Sequence, residues 1–259
     1  MFDPVMTLES GQFHHWERRG DLICAVNGDD AFFLKDGALA RGDEARAAIF
    51  FDEGYDYDRV AEVVTASEDL KDLAPYLPLR ILKQDPWEAV VGYIFSSNNN
   101  LHRIGKSVRD LSQTYGKKLA EHGGLEAYAL PEPEVLCALS PDAMRALGAG
   151  YRDKYLIETA RLVAAGEVDL ARPYELNYAE AKSYLMKLSG VGPKVADCIL
   201  LFGYGKKDAF PVDVWIERAM ARFGEFPSRQ AASEYATSRF GEDAGYIQQL
   251  LFMNERRKK

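Results

Sequence analysis

Short apolar segments separated by turn residues fill the first fifty positions of the chain. Most of the segments are rich in aromatic or β-branched side chains, which is typical of β-strands. The residues between them combine Gly with Asp or Asn, which favour the tight turns of β-hairpins. This pattern predicts an antiparallel meander. Its predicted strands are "FHHWER" (13–18), "LICAV" (22–26), "AFFLK" (31–35) and "ALAR" (38–41).

The spacing of apolar residues changes to a helical period after residue 57. Asp85 followed by Pro86 is typical of an N-cap and a first helical residue, and Gly or Pro stands at nearly every later boundary. The pattern predicts about nine or ten helices and no solenoid repeat. We therefore predict a mainly α protein of the α+β class, with a small N-terminal antiparallel β domain over 1–78 and a helical region over 79–259.

Acidic side chains are concentrated in the first third of the chain. The net charge is −8, but residues 1–80 hold 17 Asp and Glu against 8 Lys and Arg, whereas residues 81–259 hold 23 against 24. A uniformly acidic surface would repel a polyanion. Because most of the chain is close to neutral, nucleic acid remains open as a partner.

The cysteines and the apolar runs restrict the class of protein further. Cys24, Cys137 and Cys198 lie far apart and form no CxxC pair, which argues against a disulfide framework, a zinc site or an iron–sulfur cluster. The longest apolar runs are too short to span a bilayer, and no secretory signal is recognisable in the sequence. We therefore expect a protein of the reducing cytoplasm that has no membrane partner.

The stretch "LSGVGPKVADCI" (188–199) joins two predicted helices through a glycine-rich turn. Gly190 and Gly192 permit positive φ angles and leave backbone N–H groups uncovered. Successive N–H groups at a helix N-terminus form an anion site, so the turn can hold a phosphate. The alternative is an ordinary helix–turn–helix corner without a ligand, and the two glycines alone do not decide between them.

Lys194 and Asp213 are the candidate catalytic pair. Lys194 is placed near a helix N-terminus, where the dipole disfavours the ammonium form and favours the free amine that a nucleophile requires. Asp213 is placed as the N-cap of "VWIERAMARFG", and the N–H groups that it would cap stabilise its charged form. The alternatives are an exposed helix lysine and a carboxylate that does nothing but cap.

Four stretches together carry a family resemblance. "LSGVGPKVADCILLFGYGKKDAFPVDVWIERA" resembles the helix–hairpin–helix and Gly/Pro…Asp signature of a DNA glycosylase superfamily, HhH-GPD, with the lysine-to-aspartate spacing of its bifunctional members. "LKQDPWEAVVGYIFSSNNNLHRIGKSVRDL" (82–111) resembles the Asn-rich strand-separating segment of the 8-oxoguanine DNA glycosylase/AP lyase family. "LGAGYRDKY" (147–155) resembles its Tyr-Arg wedge, and "GQFHHW" (11–16) its N-terminal Gly-Gln strand. The chain therefore resembles the prokaryotic type of that family.

The resemblance implies roles for particular residues. In the base pocket, Cys198 and Phe252 would enclose the extruded base and Gln248 would meet its edge, while the Gly11 carbonyl would detect the N7–H of oxidised guanine. Asn98 would fill the vacated space in the duplex, Tyr151 would wedge between bases, and two arginines would contact the unpaired cytosine. The base pocket would comprise Gly11, Cys198, Pro211, Gln248 and Phe252; the DNA-binding set Asn98, Arg103, Tyr151, Arg152, Gly190, Val191, Gly192 and Trp215; and a monovalent cation site the carbonyls of Met186, Leu188 and Val191.

His14 and His15 depart from the family pattern. Two interpretations remain open for them, as pocket residues or as a continuation of the strand.

The activity that the resemblance implies is base excision repair. Lys194 would attack C1′ of the flipped nucleoside while Asp213 stabilises the charge on the sugar, and the Schiff base would then undergo β-elimination. The partner would be duplex DNA with oxidised guanine opposite cytosine, bound by a monomer at the nucleoid. No cofactor would be required beyond a structural Na⁺ or K⁺. The alternatives are a monofunctional alkylpurine glycosylase and a non-catalytic DNA-binding module.

Overall fold

The N-terminal region folds as an antiparallel sheet in a computed structural model that describes residues 2–258. Neighbouring strands of the sheet are consecutive in the chain. Glycines with left-handed φ angles occupy the three turns, because glycine alone reaches this region without steric cost. The predicted meander is confirmed. Its strands are β1 (Trp16–Arg19), β2 (Leu22–Asn27), β3 (Asp30–Lys35) and β4 (Ala38–Arg41).

The first strand begins later than predicted. It starts at Trp16, so the expectation of a strand over 13–18 is wrong for residues 13–15, and the expected Gly-Gln strand is wrong as well. Gly11 has φ +89°, which an extended strand does not allow. The carbonyl of Gln12 accepts hydrogen bonds from the side chains of Tyr93 and Gln84 instead of joining a strand ladder.

The rest of the described chain is mainly helical. Asp85 caps its helix as predicted, since its Oδ1 accepts from the N–H groups of Trp87 and Glu88 at 2.9 and 3.1 Å, and Pro86 is the first helical residue. The predicted fold class is therefore confirmed. The α-helices are α1 (Pro4–Glu9), α2 (Glu44–Phe50), α3 (Tyr57–Ala66), α4 (Pro86–Ser96), α5 (Leu101–Tyr115), α6 (Pro133–Cys137), α7 (Pro141–Ala146), α8 (Asp153–Ala164), α9 (Tyr178–Leu185), α10 (Pro193–Gly203), α11 (Val214–Met220), α12 (Arg229–Phe240) and α13 (Ala244–Arg257).

The chain also contains a second hairpin that the sequence pattern did not predict. It consists of β5 (Lys118–His122) and β6 (Leu125–Tyr128). Leu125 and Ala127 from its second strand pack with Leu22, Cys24 and Phe33 of the N-terminal sheet. The hairpin therefore extends the β region with residues from the middle of the chain, while the boundary at 78/79 stays a prediction.

The largest core lies between the helices, and α4 and α10 both contribute buried residues to it. They approach so closely at Gly203 that a Cβ there would lie 2.9 Å from the Cβ of Ala89. Most residues of α10 after its first turn are buried. The helix that carries the glycine-rich hairpin is thus held rigidly at its C-terminal end, which fixes the position of its N-terminus.

Two further observations concern residues 2–258. No helix in this part of the chain combines the length and the apolar character needed to cross a membrane. Over the same residues, no group of three or more His, Cys, Asp or Glu side chains is arranged to hold a metal ion. The three cysteines are free thiols.

Candidate active site

The glycine-rich turn lies between the end of α9 and the start of α10. Gly190 has φ +80°, and a Cβ there would lie 2.7 Å from the Cβ of Tyr155 on α8. Gly192 differs from the expectation of a positive φ, because it is an extended N-cap with φ −90° and ψ −178°. The close approach to α8 therefore requires glycine at position 190 only.

Lys194 is the second residue of α10 and is half-buried. Its Nζ lies 5.9 Å from the centroid of the Tyr93 ring. Cys198 follows one helical turn later, and burial raises the pKa of its thiol to about 11 even though the nearby Lys194 acts to lower that pKa. The amine of Lys194 therefore points toward a buried thiol and an aromatic ring.

Asp213 caps α11, as predicted. Its Oδ1 accepts from the backbone N–H groups of Trp215 and Ile216, each at 2.9 Å. This fixes the carboxylate at a helix N-terminus, where the dipole favours negative charge. The charge of Asp213 also acts to raise the pKa of the Cys198 thiol.

Lys194 and Asp213 line the same cavity of about 450 Å³. This is large enough for a purine, because ligand pockets in proteins begin at about 300 Å³. All five residues of the predicted base pocket line it too. The predicted residues that the cavity brings together are Gly11, Lys194, Cys198, Pro211, Asp213, Trp215, Gln248 and Phe252.

Gln248 is buried in the wall of this cavity with half of its amide paired. Its Nε2 donates to the carbonyl of Pro211 at 3.1 Å, whereas its Oε1 has no hydrogen-bond partner. Phe252 lies one turn later on α13 and is only partly buried. The cavity therefore offers an apolar ring and a fixed carbonyl oxygen, which accepts hydrogen bonds but cannot donate them.

The predicted DNA-contacting side chains outside the cavity lie around Asn98 and α5. Asn98 is exposed with φ +49°, and Arg103 is exposed on α5. Tyr151 is 55% exposed, and its hydroxyl donates to the carbonyl of Ser97 at 3.1 Å. These three side chains are accessible to a large ligand.

Arg152 is the exception, because it is only 6% exposed. Its Nε donates to Ser97 O at 2.7 Å, its Nη2 to Asn98 O at 2.9 Å, and its Nη1 to Ala149 O at 3.2 Å. In this structure Arg152 therefore holds the loop that carries Asn98, and its contact with a cytosine stays a prediction.

The structure separates the two histidines that the sequence left undecided. His14 lines the cavity. His15 is buried away from it, where Nδ1 lies 3.0 Å from Glu88 Oε1 and Nε2 lies 3.0 Å from Ser112 Oγ. Sequence reasoning also missed Tyr93, Phe202 and Arg256 as lining residues. The first two belong to apolar runs, which give no sign of a pocket.

A family model for HhH-GPD superfamily base excision DNA repair proteins matches residues 91–240 of the chain. The chain belongs to this superfamily. The matched part of the HhH-GPD chain includes the turn, Lys194 and Asp213, whereas the cavity residues Gly11, His14, Gln248 and Phe252 lie outside it.

Two proteins that are similar in sequence to this HhH-GPD chain are named N-glycosylase/DNA lyase, one of them as probable. It is 36% identical over 197 residues to a probable N-glycosylase/DNA lyase of Methanothermobacter thermautotrophicus (68% of this chain, 62% of the relative). It is 37% identical over 155 residues to the N-glycosylase/DNA lyase of Saccharomyces cerevisiae (56% and 41%). The matched region thus spans less than two thirds of either relative.

Solved structures give a similarity over almost the whole chain. The Clostridium acetobutylicum 8-oxoguanine glycosylase/lyase, in complex with double-stranded DNA containing cytosine opposite 8-oxoguanine, has a TM-score of 0.91 and 30% identity. The similarity covers 99% of this HhH-GPD chain and 92% of that one. The N-terminal sheet and α13 therefore have counterparts in that protein as well.

Proposed function

We propose that the protein excises 8-oxoguanine opposite cytosine from duplex DNA and then cleaves the strand through a lysine Schiff base. The observation that carries this proposal is the placement of Lys194 and Asp213 on one purine-sized cavity. The names of the relatives and of the structural neighbour support the choice of lesion. An enzyme that acts on a base in a duplex must extrude it, and a cavity of this size receives it.

The proposed chemistry uses a nucleophile and a fixed charge. The free amine of Lys194 attacks C1′ of the extruded nucleoside, the glycosidic bond breaks, and the base leaves with the bonding electrons. The carboxylate of Asp213 stabilises the positive charge that develops on the sugar. The nitrogen loses a proton, the C1′–O4′ bond breaks with O4′ taking up a proton, and the Schiff base forms. Loss of a proton from C2′ then expels the 3′ phosphate by β-elimination.

The cavity provides contacts for a purine. Cys198 is a neutral thiol at physiological pH because burial raises its pKa to about 11, and it forms one wall while Phe252 forms another. The unpaired Oε1 of Gln248 accepts a hydrogen bond from an N–H on the edge of guanine. The carbonyl of Gly11 is the proposed acceptor for the N7–H of the oxidised base.

The DNA backbone would bind at the hairpin. The backbone at Gly190 and Gly192, just before the N-terminus of α10, would face a phosphate, with Val191 and Trp215 beside it. The side chains that would occupy the distorted duplex are those of Asn98, Arg103, Tyr151 and Arg152. No step requires a cofactor.

A monovalent cation would add positive charge beside that phosphate. The carbonyls of Met186, Leu188 and Val191 are its proposed ligands. The Leu188 oxygen accepts the Val191 N–H at 3.2 Å and retains a lone pair for an ion. Weaker duplex binding in tetramethylammonium chloride than in NaCl or KCl would support the site, and equal binding would refute it.

The assembly and location follow from the substrate. We propose a monomer that acts on the nucleoid in the cytoplasm, since one chain supplies both Lys194 and Asp213 and the whole predicted base pocket to one cavity. Sedimentation of the protein with and without duplex tests the monomer, and a stable dimer in both would refute it.

Borohydride trapping tests the proposed reaction. The protein is incubated with duplexes that carry 8-oxoguanine opposite each of the four bases, and NaBH₄ reduces any Schiff base to a stable adduct. We expect a covalent adduct that is strongest opposite cytosine and absent with Lys194→Gln, which should still bind the duplex. Base release without an adduct would favour a monofunctional alkylpurine-type enzyme. Binding without release would favour a non-catalytic module.

A further inference from the structure

Two buried polar atoms without partners belong to residues that line the same cavity. Of the four buried side-chain nitrogen or oxygen atoms that lack a hydrogen bond among residues 2–258, one is Oε1 of Gln248 and another is Nε2 of His14. Leaving such an atom unpaired is unfavourable, because it gives up its hydrogen bonds with water and gains none in the protein. Because both residues line one cavity, a ligand there can satisfy both.

The imidazole of His14 is held firmly at this position. Its ring meets the Tyr93 ring edge-on, with centroids 5.5 Å apart and an interplanar angle of 68°. On α4, a Cβ at Gly92 would lie only 3.2 Å from Cδ2 of His14. Tyr93 is fixed in turn, because its hydroxyl donates to Gln12 O at 2.6 Å. His14 is 6% exposed, so it forms part of the wall of the cavity.

The charge state of His14 follows from its surroundings. Burial, together with the nearby charge of Lys194, lowers its pKa to about 3. The imidazole is therefore neutral at physiological pH. A neutral imidazole has one N–H donor and one bare acceptor nitrogen, so it pairs with the polar edge of a base without adding charge.

His15 shows what a purely structural histidine does in this chain. Both of its ring nitrogens have partners, Glu88 and Ser112, and it lies outside the cavity. His14 is its neighbour in sequence, yet the structure gives its Nε2 no partner. The contrast indicates that the missing partner of His14 comes from outside the protein.

We propose that His14 is a base-binding residue whose imidazole makes a second polar contact with the extruded base, alongside Gln248. This inference rests on the proposed function. It assigns His14 a role in base removal and none in the later strand cleavage, because the base has left before β-elimination. The two steps can be measured separately.

The test compares His14→Phe, which keeps an aromatic ring against Tyr93, with His14→Gln, which keeps a polar atom at the ε position. His122→Phe is the matched control, because His122 also packs edge-on against a ring, that of Phe33, but lies on the remote β5. Single-turnover excision is measured on a duplex with 8-oxoguanine opposite cytosine. Strand cleavage is measured on the same duplex with a preformed abasic site.

We expect His14→Phe to slow base excision about three- to tenfold, the value of one uncharged hydrogen bond, and to leave cleavage at the abasic site within about twofold. His14→Gln should recover most of the loss, and His122→Phe should match the wild type. If His14→Phe does not fold by circular dichroism, His14→Leu replaces it with the same expectation.

Equal excision by His14→Phe and His122→Phe would overturn the inference, as would an equal loss of both steps. A wild-type protein that cleaves abasic sites but releases no 8-oxoguanine would instead refute the proposed substrate, before any variant is compared.

Discussion

Substitution of Gly190 by alanine should destabilise the hairpin, whereas the same change at Gly192, two residues later, should not. Gly190 has φ +80°, and the new methyl carbon would lie 2.7 Å from Cβ and 2.8 Å from Cγ of Tyr155. Gly192 has φ −90°, and nothing lies within 4 Å of the position of its Cβ. Both variants therefore add one methyl group to the same turn, and only the group at position 190 causes strain.

The expected magnitude at Gly190 has two parts. An L-residue in the left-handed region costs about 1–2 kcal/mol. Forcing a methyl group into packed atoms costs about 1–3 kcal/mol more, depending on how far Tyr155 moves. We expect a loss of about 2–5 kcal/mol, and a melting temperature lower by about 4–20 °C. Gly192→Ala should stay within about 1 kcal/mol, since an alanine N-cap is slightly worse and the unfolded chain is slightly less flexible.

Urea unfolding monitored by circular dichroism measures both variants, with duplex affinity as the second readout. We expect Gly190→Ala to bind DNA more weakly, because the turn must shift relative to α8. If Gly190→Ala is as stable as Gly192→Ala, then the contact with Tyr155 does not fix the turn.

Three further outcomes follow from the site. Arg103→Ala should relax the preference for cytosine opposite the lesion, measured as the ratio of excision rates over the four opposite bases; an unchanged ratio would contradict its assignment. Arg152→Met should destabilise the protein by about 2–4 kcal/mol and speed hydrogen exchange around Asn98, because three backbone carbonyls lose a charged donor; wild-type exchange there would refute the loop-holding role. Cys198 should react slowly with iodoacetamide at pH 8 and about tenfold faster per pH unit up to about pH 11, since only the thiolate reacts; fast reaction at pH 8 would show that the thiol is not buried.

Local chemistry predicted the parts of the site that a short stretch of chain determines. Asp85 and Asp213 are N-caps in the structure because a carboxylate that precedes a helix accepts its first N–H groups, whatever the rest of the fold does. The order of the helices and the N-terminal meander could also be predicted, because they too depend on turn residues and apolar spacing within short stretches of chain. Gly192 shows the limit of this reasoning. Gly190 and Gly192 are the same residue type in one turn, but only Gly190 has a positive φ angle.

Long-range packing decided what the sequence pattern missed. "KLAEHGGLEAY" alternates charged and apolar residues weakly, and it forms a hairpin because the N-terminal sheet offers an apolar face for Leu125 and Ala127. The burial of Arg152 likewise depends on the path of residues 97–98, which no spacing reveals. The role of His14 in the cavity could not be separated from that of His15 until the partners of each ring were known.

The N-terminal segment is a wall of the cavity because of how it is bonded to the C-terminal half. The carbonyl of Ser10 accepts hydrogen bonds from Gln249 and Arg256 of α13, at 3.3 and 3.0 Å. Gln249 and Arg256 flank Phe252 along that helix, so Gly11 and Phe252 are held against each other.

Gln12, which follows Gly11, is hydrogen-bonded through its side chain to the backbone of residues 80 and 82. Its Oε1 accepts from Leu82 N at 2.7 Å, and its Nε2 donates to Arg80 O at 2.8 Å. Its carbonyl accepts from Tyr93, whose ring packs against His14 and lies below the amine of Lys194. A shift of residues 10–14 would therefore move the aromatic contact of Lys194, the proposed nucleophile, as well as the wall of the pocket. The proposed base recognition and catalysis would thus depend on the same N-terminal segment, although the family match begins only at residue 91.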